Sequence, residues 1–523
     1  MAENTNKRTI LWVDDEIHLL RPHIMFLEEK GYEVKTATNG VDALDIIKQE
    51  YIAAALLDEM MAGLDGLAVL EKIRQLRPGM PVIMITKNEE ESLMEDAIGK
   101  EISDYLTKPI NPSQVLLSLK KNLDIAHISR DVRGRDFMDF YQEMTTRLFE
   151  GITSLKEWAN VHDRLAYWQI EFGKNIQYDL EHFLHELQEE ANKEFRRLVE
   201  KKYHHWVRED HPDIPMSPGV MDHFVKPLLK KGRKTLLVLI DCLRYDQWLA
   251  VAPLFYQQFD SQLQAHLSIL PTATPYSRNA IFSGMFPDAI NVKYPDLYSN
   301  PDSEESMNRY ENQLVADYLR KENLHLKNGH SFHKVVESRY GDNLANRFSD
   351  IQNNDFIVLV ANFVDILAHK RSVSNVLQEI VPDEAGYRKV VRNWIEGSYL
   401  RRIIEQAGDA GFHVVITSDH GSLRVNRGTV VKADRHSTDS LRYKTGRNLV
   451  VSGKTAVFVK NAGDYRLPQT HLTATYIFAK DDYFFLYPNN MKKYEKIYPG
   501  TFQHGGISMD EMILPVATLR PKV

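Results

Sequence analysis

Short apolar runs that end in acidic residues recur along this chain, and they constrain its fold more than any other feature. TILWVDDE begins at Thr9, and KTLLVLIDC begins at Lys234. Such a run is typical of a buried parallel strand, whose carboxyl end delivers polar side chains to one edge of the sheet. Helix-like segments separate the runs. The pattern predicts a multidomain α/β protein whose functional sites lie at the carboxyl ends of its strands.

Length and composition narrow the class of protein. The chain has 523 residues, too many for one compact core, and three or four units are expected at about 150 residues each. Its net charge of -7 gives no global attraction to nucleic acid or anionic membranes. One cysteine, Cys242, excludes an internal disulfide framework. Because the sequence shows no signal peptide and no membrane-spanning apolar run, we expect a cytoplasmic protein.

The first 120 residues or so predict a doubly wound α/β domain with five strands. Polar residues follow the ends of four of them: Asp14 and Asp15, Asp58, Thr86 and Lys108. Three carboxylates in one crevice would repel each other unless a hard divalent cation such as Mg²⁺ lay among them. A lysine and a hydroxyl nearby would suit a phosphoryl group on one carboxylate.

Over residues 8–125 these motifs resemble the CheY-like response-regulator receiver family. The resemblance implies that a histidine kinase phosphorylates Asp58, and that Asp14, Asp15 and Asp58 hold Mg²⁺. It also implies that Thr86, Lys108 and the aromatic Tyr105 form the switch that reads the phosphoryl group. The sequence departs from the family at two positions: Ala62 replaces the usual proline, and Lys87 replaces a small residue. We expect Lys87 to alter access to Asp58 and so the kinetics of phosphorylation.

Residues 126–225 lack strand signals and repeat apolar residues at helical spacing, which predicts an α-helical bundle linker. The histidines in this region lack companion acids at ligand spacing and are interpreted as ordinary surface or core-edge residues. No segment resembles a helix-turn-helix or a strongly basic recognition helix. The sequence therefore gives no indication of a domain that binds duplex DNA.

Residues 226–523 predict a second α/β domain, with a mostly parallel sheet covered on both faces. Acidic residues or histidines occur in or directly after four stretches that are apolar or contain glycine. They are Asp241, then Asp365 and His369, then Asp419 and His420, and finally His504. Because Asp365 and His369 are four residues apart, they share one helix face and can bind one cation. His504 would complete a set of two imidazoles and one carboxylate, which suits Zn²⁺.

The remaining ligands predict a second metal site. Asp241, Asp419 and His420 offer two carboxylates and one imidazole. Two such sites about 4 Å apart would form a two-metal centre for displacement at phosphorus.

A nucleophile for that centre is sought in the stretch ILPTATPYSRNAIFSG, residues 269–284. It contains Thr272 and Thr274. A threonine at a helix start, with exposed backbone N–H groups and a metal beside it, could attack a phosphate. An ordinary helix N-cap is the alternative interpretation of either threonine.

The order of these motifs resembles the alkaline phosphatase superfamily, and most closely its PglZ branch, whose fold is an α/β sandwich. The resemblance implies that Asp365, His369 and His504 hold one zinc. Asp241, Asp419 and His420 would hold the other, with the threonine hydroxyl between the two ions. The family spacing to Arg278 and Gly284 selects Thr274 as the catalytic residue, and Thr272 remains the alternative. Arg278 would support the bound anion.

A basic stretch, VKADRHSTDSLRYKTGRN, follows the Asp419–His420 pair. We interpret it as a loop in which cationic side chains bind the extra phosphates of an oligonucleotide, and a solvated loop is the alternative. The candidate substrate-binding residues of this loop are Arg435, His436, Arg442, Lys444 and Arg447.

Taken together, the three regions resemble PorX-type response regulators, which are associated with type IX secretion. That resemblance implies homodimerisation on phosphorylation and phosphodiesterase activity on cyclic or linear oligonucleotides. One alternative is a non-enzymatic signalling module, in which the metal domain docks a transcription partner such as a sigma factor. Another keeps catalysis but on a phosphomonoester or sulfate. A comparison of the turnover of a phosphomonoester and a phosphodiester would distinguish the catalytic hypotheses.

Overall fold

The computed structural model describes residues 8–61, 64–86, 102–128, 132–174, 180–208, 212–298, 307–371, 374–433, 438, 440–469, 473–488 and 491–522. The chain divides into two compact units between residues 146 and 147.

The first unit contains a five-stranded parallel sheet with the strand order β2-β1-β3-β4-β5. This confirms the predicted doubly wound, CheY-like fold. The strands are β1 Arg8–Val13, β2 Tyr32–Ala37, β3 Ala54–Asp58, β4 Val82–Thr86 and β5 Asp104–Thr107. The helices are α1 Arg21–Glu29, α2 Gly40–Gln49, α3 Gly66–Leu76 and α4 Pro112–Ile128.

Alternate residues of β1 show why its last four residues are all apolar. Leu11 and Val13 pack into the core on one face of the sheet, and Ile10 and Trp12 pack into the core on the other. A strand that is buried on both faces has no solvent-facing positions for polar residues. The first polar side chain after β1 is therefore Asp14, at the carboxyl edge of the sheet.

The middle of the chain is helical, as predicted. Helix α5 (Val132–Glu150) is followed by α6 (Leu155–Lys174) and by α7 (Glu181–Trp206), which is 26 residues long. The buried residues of α7 include Leu184, Leu187 and Ala191, at the spacing of one helix face. Helices α6 and α7 belong to the second compact unit together with the C-terminal α/β domain.

The sheet of the C-terminal domain has six strands in the order β7-β18-β10-β6-β9-β8. Strands β10, β6, β9 and β8 are parallel, whereas β18 and β7 are antiparallel to their neighbours. The strands of this domain are β6 Thr235–Ile240, β7 Phe259–Leu267, β8 His330–Val335, β9 Phe356–Ala361, β10 His413–Thr417, β11 Leu423–Val425, β12 Arg427–Val430, β13 Tyr443–Gly446, β14 Ala456–Val459, β15 Thr475–Ala479, β16 Tyr483–Leu486, β17 Thr501–Gln503 and β18 Ile513–Pro521.

Helices surround this sheet, and both of its faces are buried. In β6, Leu236 and Val238 pack into the main core, and the intervening Leu237 and Leu239 are also fully buried. The helices are α8 Lys226–Lys230, α9 Tyr245–Val251, α10 Thr274–Ser283, α11 Pro287–Lys293, α12 Glu311–Lys321, α13 Ser338–Asn346, α14 Phe363–Arg371, α15 Asn375–Ile380, α16 Glu384–Gly397, α17 Tyr399–Asp409, α18 Met491–Ile497 and α19 Met509–Met512.

Within the described residues, no helix combines the length and the apolar character needed to cross a membrane.

Candidate metal-dependent active site

The structure brings the three acids of the first unit together at the carboxyl edge of its sheet. One oxygen each of Asp14, Asp15 and Asp58 lies within 4.8 Å of the others. Lys108 Nζ lies 3.0 Å from Asp14 Oδ2 and 2.9 Å from Asp58 Oδ2. Burial raises the pKa of Asp58 above its ordinary value, a shift that the hydrogen bond from Lys108 opposes and the charge of Asp14 reinforces. This arrangement can hold a divalent cation beside a reactive carboxylate.

The predicted switch residues occupy the neighbouring strands. Thr86 ends β4 and is buried, and Tyr105 lies on β5, where it is partly buried against the core. Thr86 and Lys108 are thus at the same edge of the sheet as Asp58. The two departures from the receiver pattern, Ala62 and Lys87, lie outside the described residues.

In the second unit, the first metal-ligand cluster forms at the start of α14. Asp365 Oδ1 lies 3.3 Å from His369 Nε2 and 3.8 Å from His504 Nε2, and the two Nε2 atoms are 3.4 Å apart. Ligand atoms bound tetrahedrally to one zinc ion at about 2.0–2.1 Å lie roughly 3.3–3.4 Å apart. The three side chains are therefore spaced as ligands of a single ion.

The second cluster lies at the ends of the central strands β6 and β10. Asp241 follows β6, and Asp419 and His420 follow β10. The two strands are parallel neighbours in the sheet. His420 Nε2 lies 3.5 Å from Asp241 Oδ1 and 4.0 Å from Asp419 Oδ2. The two clusters adjoin, because the rings of His420 and His504 stack with their centroids 4.1 Å apart.

Two of the histidines are oriented as metal ligands usually are. His420 Nδ1 lies 3.1 Å from the carbonyl oxygen of Gly421, and His504 Nδ1 lies 3.1 Å from the carbonyl oxygen of Thr272. A proton on each Nδ1 satisfies these contacts and leaves Nε2 as the ligand atom. Burial and His504 lower the pKa of His420 to about 4, so its imidazole is neutral at pH 7.

Thr274 and Thr272 have different environments. Thr274 is the first residue of α10, and its Oγ1 lies 3.0 Å from His420 Nε2 and 3.3 Å from Asp241 Oδ1. Thr272 Oγ1 instead donates to the carbonyl of Gly506 and accepts from the N–H of Gly505, both at 3.0 Å. Only Thr274 directs its hydroxyl into the second ligand cluster, whereas Thr272 links two loops.

Arg278 is not where an anion-binding residue was expected. It is fully buried, and its guanidinium pairs with Asp241, with Asp419 at 2.9 Å and with Glu311 at 3.2 Å. Its charge is therefore balanced by buried carboxylates, and its Nε binds Asp419 Oδ2, the oxygen that lies 4.0 Å from His420 Nε2. This corrects the predicted role of Arg278 in supporting the bound anion.

Two of the three carboxylates bound by Arg278, those of Asp241 and Asp419, have pKa values shifted in opposite directions. Burial raises the pKa of Asp241 well above its ordinary value; Arg278 opposes this shift, and the charges of Asp419 and Asp365 add to it. Burial would also raise the pKa of Asp419, but Arg278 and His420 together outweigh it, and this pKa is lowered. Such a set of crowded acids is stabilised by additional positive charge, which a bound cation provides.

The predicted cationic loop also needs correction. Arg442 is buried, where it pairs with Glu511 and donates to the carbonyl of Asp481 at 2.7 Å. Lys444 is buried on β13, and its Nζ donates to the carbonyl of Thr438. Neither can contact a solvent-borne substrate in this arrangement. Arg447 is exposed, and Arg435 and His436 lie outside the described residues.

Sequence reasoning missed Glu311 altogether. This residue lies on α12, is almost fully buried and pairs with both Arg278 and Lys334, the latter at 2.8 Å. Nothing in the spacing of these three residues along the chain signals that they meet. The two glycines that follow His504 were visible in the sequence, and the structure explains them. Gly505 adopts a φ of +119°, and a Cβ at Gly506 would lie 2.5 Å from the carbonyl oxygen of Ala479.

Three family models match the chain. Residues 10–120 match the response regulator receiver domain, residues 127–207 the PorX response regulator linker domain, and residues 220–519 the BREX system PglZ alkaline phosphatase-like domain. The last match covers more than half of the 523 residues.

Curated relatives and solved structures match a smaller part. The transcriptional regulatory protein AlgB of alginate biosynthesis in Pseudomonas syringae pv. tomato is 34% identical over 128 residues, which are 24% of this chain and 29% of AlgB. The transcriptional regulatory protein SrrA of Staphylococcus aureus is 35% identical over 111 residues, 21% of this chain and 46% of SrrA. The chain thus spans less than half the length of either relative.

Among solved structures, a CheY-like receiver domain protein from Methanospirillum hungatei is 34% identical and covers 23% of this chain and 94% of its own, with a TM-score of 0.22. A receiver domain protein from Clostridium thermocellum is 26% identical and covers 23% and 96%, also with a TM-score of 0.22.

Proposed function

We propose a function from the premise that this chain belongs to the PglZ alkaline phosphatase-like family and is a response regulator of the PorX type. The receiver domain implies a phosphodonor such as a histidine kinase. The output domain is that of a hydrolase of the alkaline phosphatase superfamily. The function that fits both is a zinc-dependent phosphodiesterase whose activity is controlled by phosphorylation of Asp58.

One observation carries the catalytic part of this proposal. The Thr274 hydroxyl lies within 3.3 Å of both Asp241 and His420, at the N-terminus of α10 and next to the second ligand cluster. A nucleophilic hydroxyl needs a proton acceptor and a positive environment that favours its deprotonated form. Asp241 Oδ1 can accept the proton, and the exposed N–H groups of the helix start favour negative charge.

Asp365, His369 and His504 would hold one zinc ion, and Asp241, Asp419 and His420 would hold the other. Zinc lowers the pKa of a bound hydroxyl and neutralises the charge that develops on oxygens at phosphorus. Thr274 Oγ1 forms the new bond to phosphorus as the bond to the leaving oxygen breaks, and the leaving oxygen takes up a proton. Water then hydrolyses the phosphothreonine and regenerates the hydroxyl.

The site has an open side through which a substrate can approach. The side chain of His369 is 51% exposed, whereas those of Asp241, Asp419 and His420 are almost completely buried. A phosphodiester therefore reaches the centre past the first ligand cluster. The proposed substrates are cyclic or linear oligonucleotides, and the proposed role is control of type IX secretion, both on the strength of the PorX-type organisation. Homodimerisation on phosphorylation belongs to the same proposal.

Hydrolysis by zinc-loaded protein tests the proposed activity. We expect a bis-aryl phosphate and short oligonucleotides to be cleaved, and an aryl phosphomonoester to be cleaved more slowly. Removal of zinc with a chelator should lower the rate by at least about 100-fold, because the crowded acids lose the charge that orders them, and added zinc should restore it. Zinc content is measured in parallel.

Three outcomes would contradict this proposal in different ways. Full activity in metal-free protein would exclude zinc catalysis. Faster cleavage of the monoester would indicate a phosphatase. No turnover of any substrate by protein that holds zinc would favour the non-enzymatic alternative, in which the domain docks a partner such as a sigma factor.

Replacement of Asp58 by asparagine should abolish phosphorylation of the receiver domain. Asp58 is one of two buried acids that contact Lys108, the other being Asp14, and an amide at position 58 cannot form the acyl phosphate. Labelling with a small-molecule phosphodonor, followed by phosphate-affinity electrophoresis, measures the phosphorylated fraction. Asp45→Asn is the matched control, since Asp45 is an exposed acid that pairs with Lys48 at 3.1 Å. Equal labelling of Asp58→Asn and the wild type would exclude Asp58 as the acceptor.

A further inference from the structure

Helix α7 of the linker contacts two loops that carry residues of the proposed active site. Tyr203 Oη accepts a hydrogen bond of 2.8 Å from the N–H of Leu270, four residues before Thr274. Asn192 Oδ1 accepts one of 2.9 Å from the N–H of Met509, five residues after His504. The two contacts lie eleven positions apart on α7, which is three helical turns.

The two loops are also joined to each other. Thr272 donates to the carbonyl of Gly506, accepts from the N–H of Gly505 and presents its own carbonyl to His504 Nδ1. The segments 270–274 and 504–509, which we call the nucleophile loop and the histidine loop, therefore form one hydrogen-bonded unit. Displacement of either loop moves both Thr274 and His504.

Helix α7 is itself held firmly against the C-terminal domain. Arg196 donates to Asp481 at 2.9 Å, and Glu200 accepts from Lys480 at 2.9 Å. The ring of Tyr203 packs against that of Tyr465, with centroids 4.9 Å apart. Arg196 and Glu200 lie between Asn192 and Tyr203 on the helix, so their contacts fix the segment that carries the two acceptors.

We propose that α7 positions the active site, with Tyr203 setting the nucleophile loop and Asn192 setting the histidine loop. Tyr203 and Leu270 are both fully buried, so their hydrogen bond has no water to replace it. Neither side chain touches the reacting atoms, and both act through the backbone of the loop that each one holds. The linker thereby supplies part of the geometry of the site as well as the connection between domains. This inference rests on the proposed function for its kinetic consequences.

Two substitutions test the inference in the full-length, zinc-loaded protein. Tyr203→Phe removes only the acceptor of the Leu270 N–H, and Asn192→Leu removes that of the Met509 N–H. We expect kcat for a bis-aryl phosphate to fall at least tenfold in each, because a small displacement of a nucleophile has an effect on the order of 10²-fold. KM should change less than about threefold and zinc content should not change, since neither residue is a ligand.

Hydrogen exchange provides a readout that does not depend on activity. The backbone amide of Leu270 should exchange at least tenfold faster in Tyr203→Phe, and that of Met509 at least tenfold faster in Asn192→Leu. Asn192→Asp keeps an acceptor oxygen at the same place and should restore both kcat and protection. If the wild type cleaves no diester, the proposed function fails, and the exchange rates still decide whether α7 holds the loops.

Tyr318→Phe is the control for loss of a buried hydroxyl. Tyr318 is as buried as Tyr203, but its Oη donates to Asp222 at 2.8 Å, away from both loops. It should leave kcat within about twofold of the wild type even if it lowers the melting temperature. An equal decrease in kcat in Tyr318→Phe and Tyr203→Phe would overturn the inference, as would faster exchange of Leu270 with an unchanged kcat, which would indicate a purely structural contact.

Discussion

Thr274→Val should abolish diester hydrolysis, with a loss in kcat of about 10³-fold or more, while the protein still binds zinc. Valine keeps the shape of the side chain but removes the oxygen that lies 3.0 Å from His420 Nε2 and 3.3 Å from Asp241 Oδ1. The six carboxylate and imidazole ligands are unchanged. Steady-state hydrolysis of a bis-aryl phosphate and metal analysis on the same preparations provide the measurement.

Thr272→Val is the matched control for this experiment. It removes the two hydrogen bonds to Gly505 and Gly506 but leaves the carbonyl that orients His504. We expect a loss of about tenfold, since the loops loosen and displace the nucleophile slightly while its hydroxyl is retained. Mass spectrometry of acid-quenched wild type should detect a phosphoryl group on the peptide that contains Thr274. An inactive Thr272→Val beside an active Thr274→Val would reverse the assignment of the nucleophile.

The second large effect concerns stability. Arg278→Met should lower the free energy of unfolding of the metal-free protein by about 3–5 kcal/mol, because it leaves buried acids without their counter-charge. Arg278 pairs with Asp241, Asp419 and Glu311, all of which are nearly or completely buried. Denaturant unfolding followed by tryptophan fluorescence measures the loss.

Two further measurements, one with added zinc and one on a surface arginine variant, distinguish the loss of counter-charge from a general packing defect. Saturating zinc should recover part of the stability in Arg278→Met, since an ion bound to Asp241 and Asp419 replaces some of the missing positive charge. Arg427→Met removes an arginine whose side chain is 53% exposed and pairs with Asp482, so a loss below about 1 kcal/mol is expected. Similar losses in the two variants, or no response to zinc in Arg278→Met, would contradict the role assigned to Arg278.

The comparison of Arg278 with Arg442 shows where sequence reasoning stops. Both were predicted to bind substrate, Arg278 through the family resemblance and Arg442 because it lies in a basic stretch that suits phosphate. In the structure each is fully buried and paired with a carboxylate, Arg278 with Asp419 and Arg442 with Glu511. Their partners are 141 and 69 residues away along the chain. Burial and long-range pairing leave no local signal in the sequence.

The candidate metal ligands behave differently, because their signal is local. Asp14, Asp58, Asp241 and Asp419 each follow an apolar run, and parallel strands that end at one edge bring such residues together whatever the loops do. Asp365 and His369 are likewise joined by helical spacing. His504 was grouped with Asp365 and His369 because a second imidazole completes a ligand set that suits zinc, and the family resemblance implies the same grouping.

The sequence by itself therefore determined the two α/β domains, the helical linker and the residue types gathered at the edges of the sheets. These follow from the periodicity of apolar residues, which each segment carries on its own. Only the tertiary structure decided which threonine meets the ligand cluster, which arginines are buried, and that Tyr203 and Asn192 of the linker hold the two loops. Those features depend on distances between segments far apart in the chain, and such distances exist only once the segments have packed together.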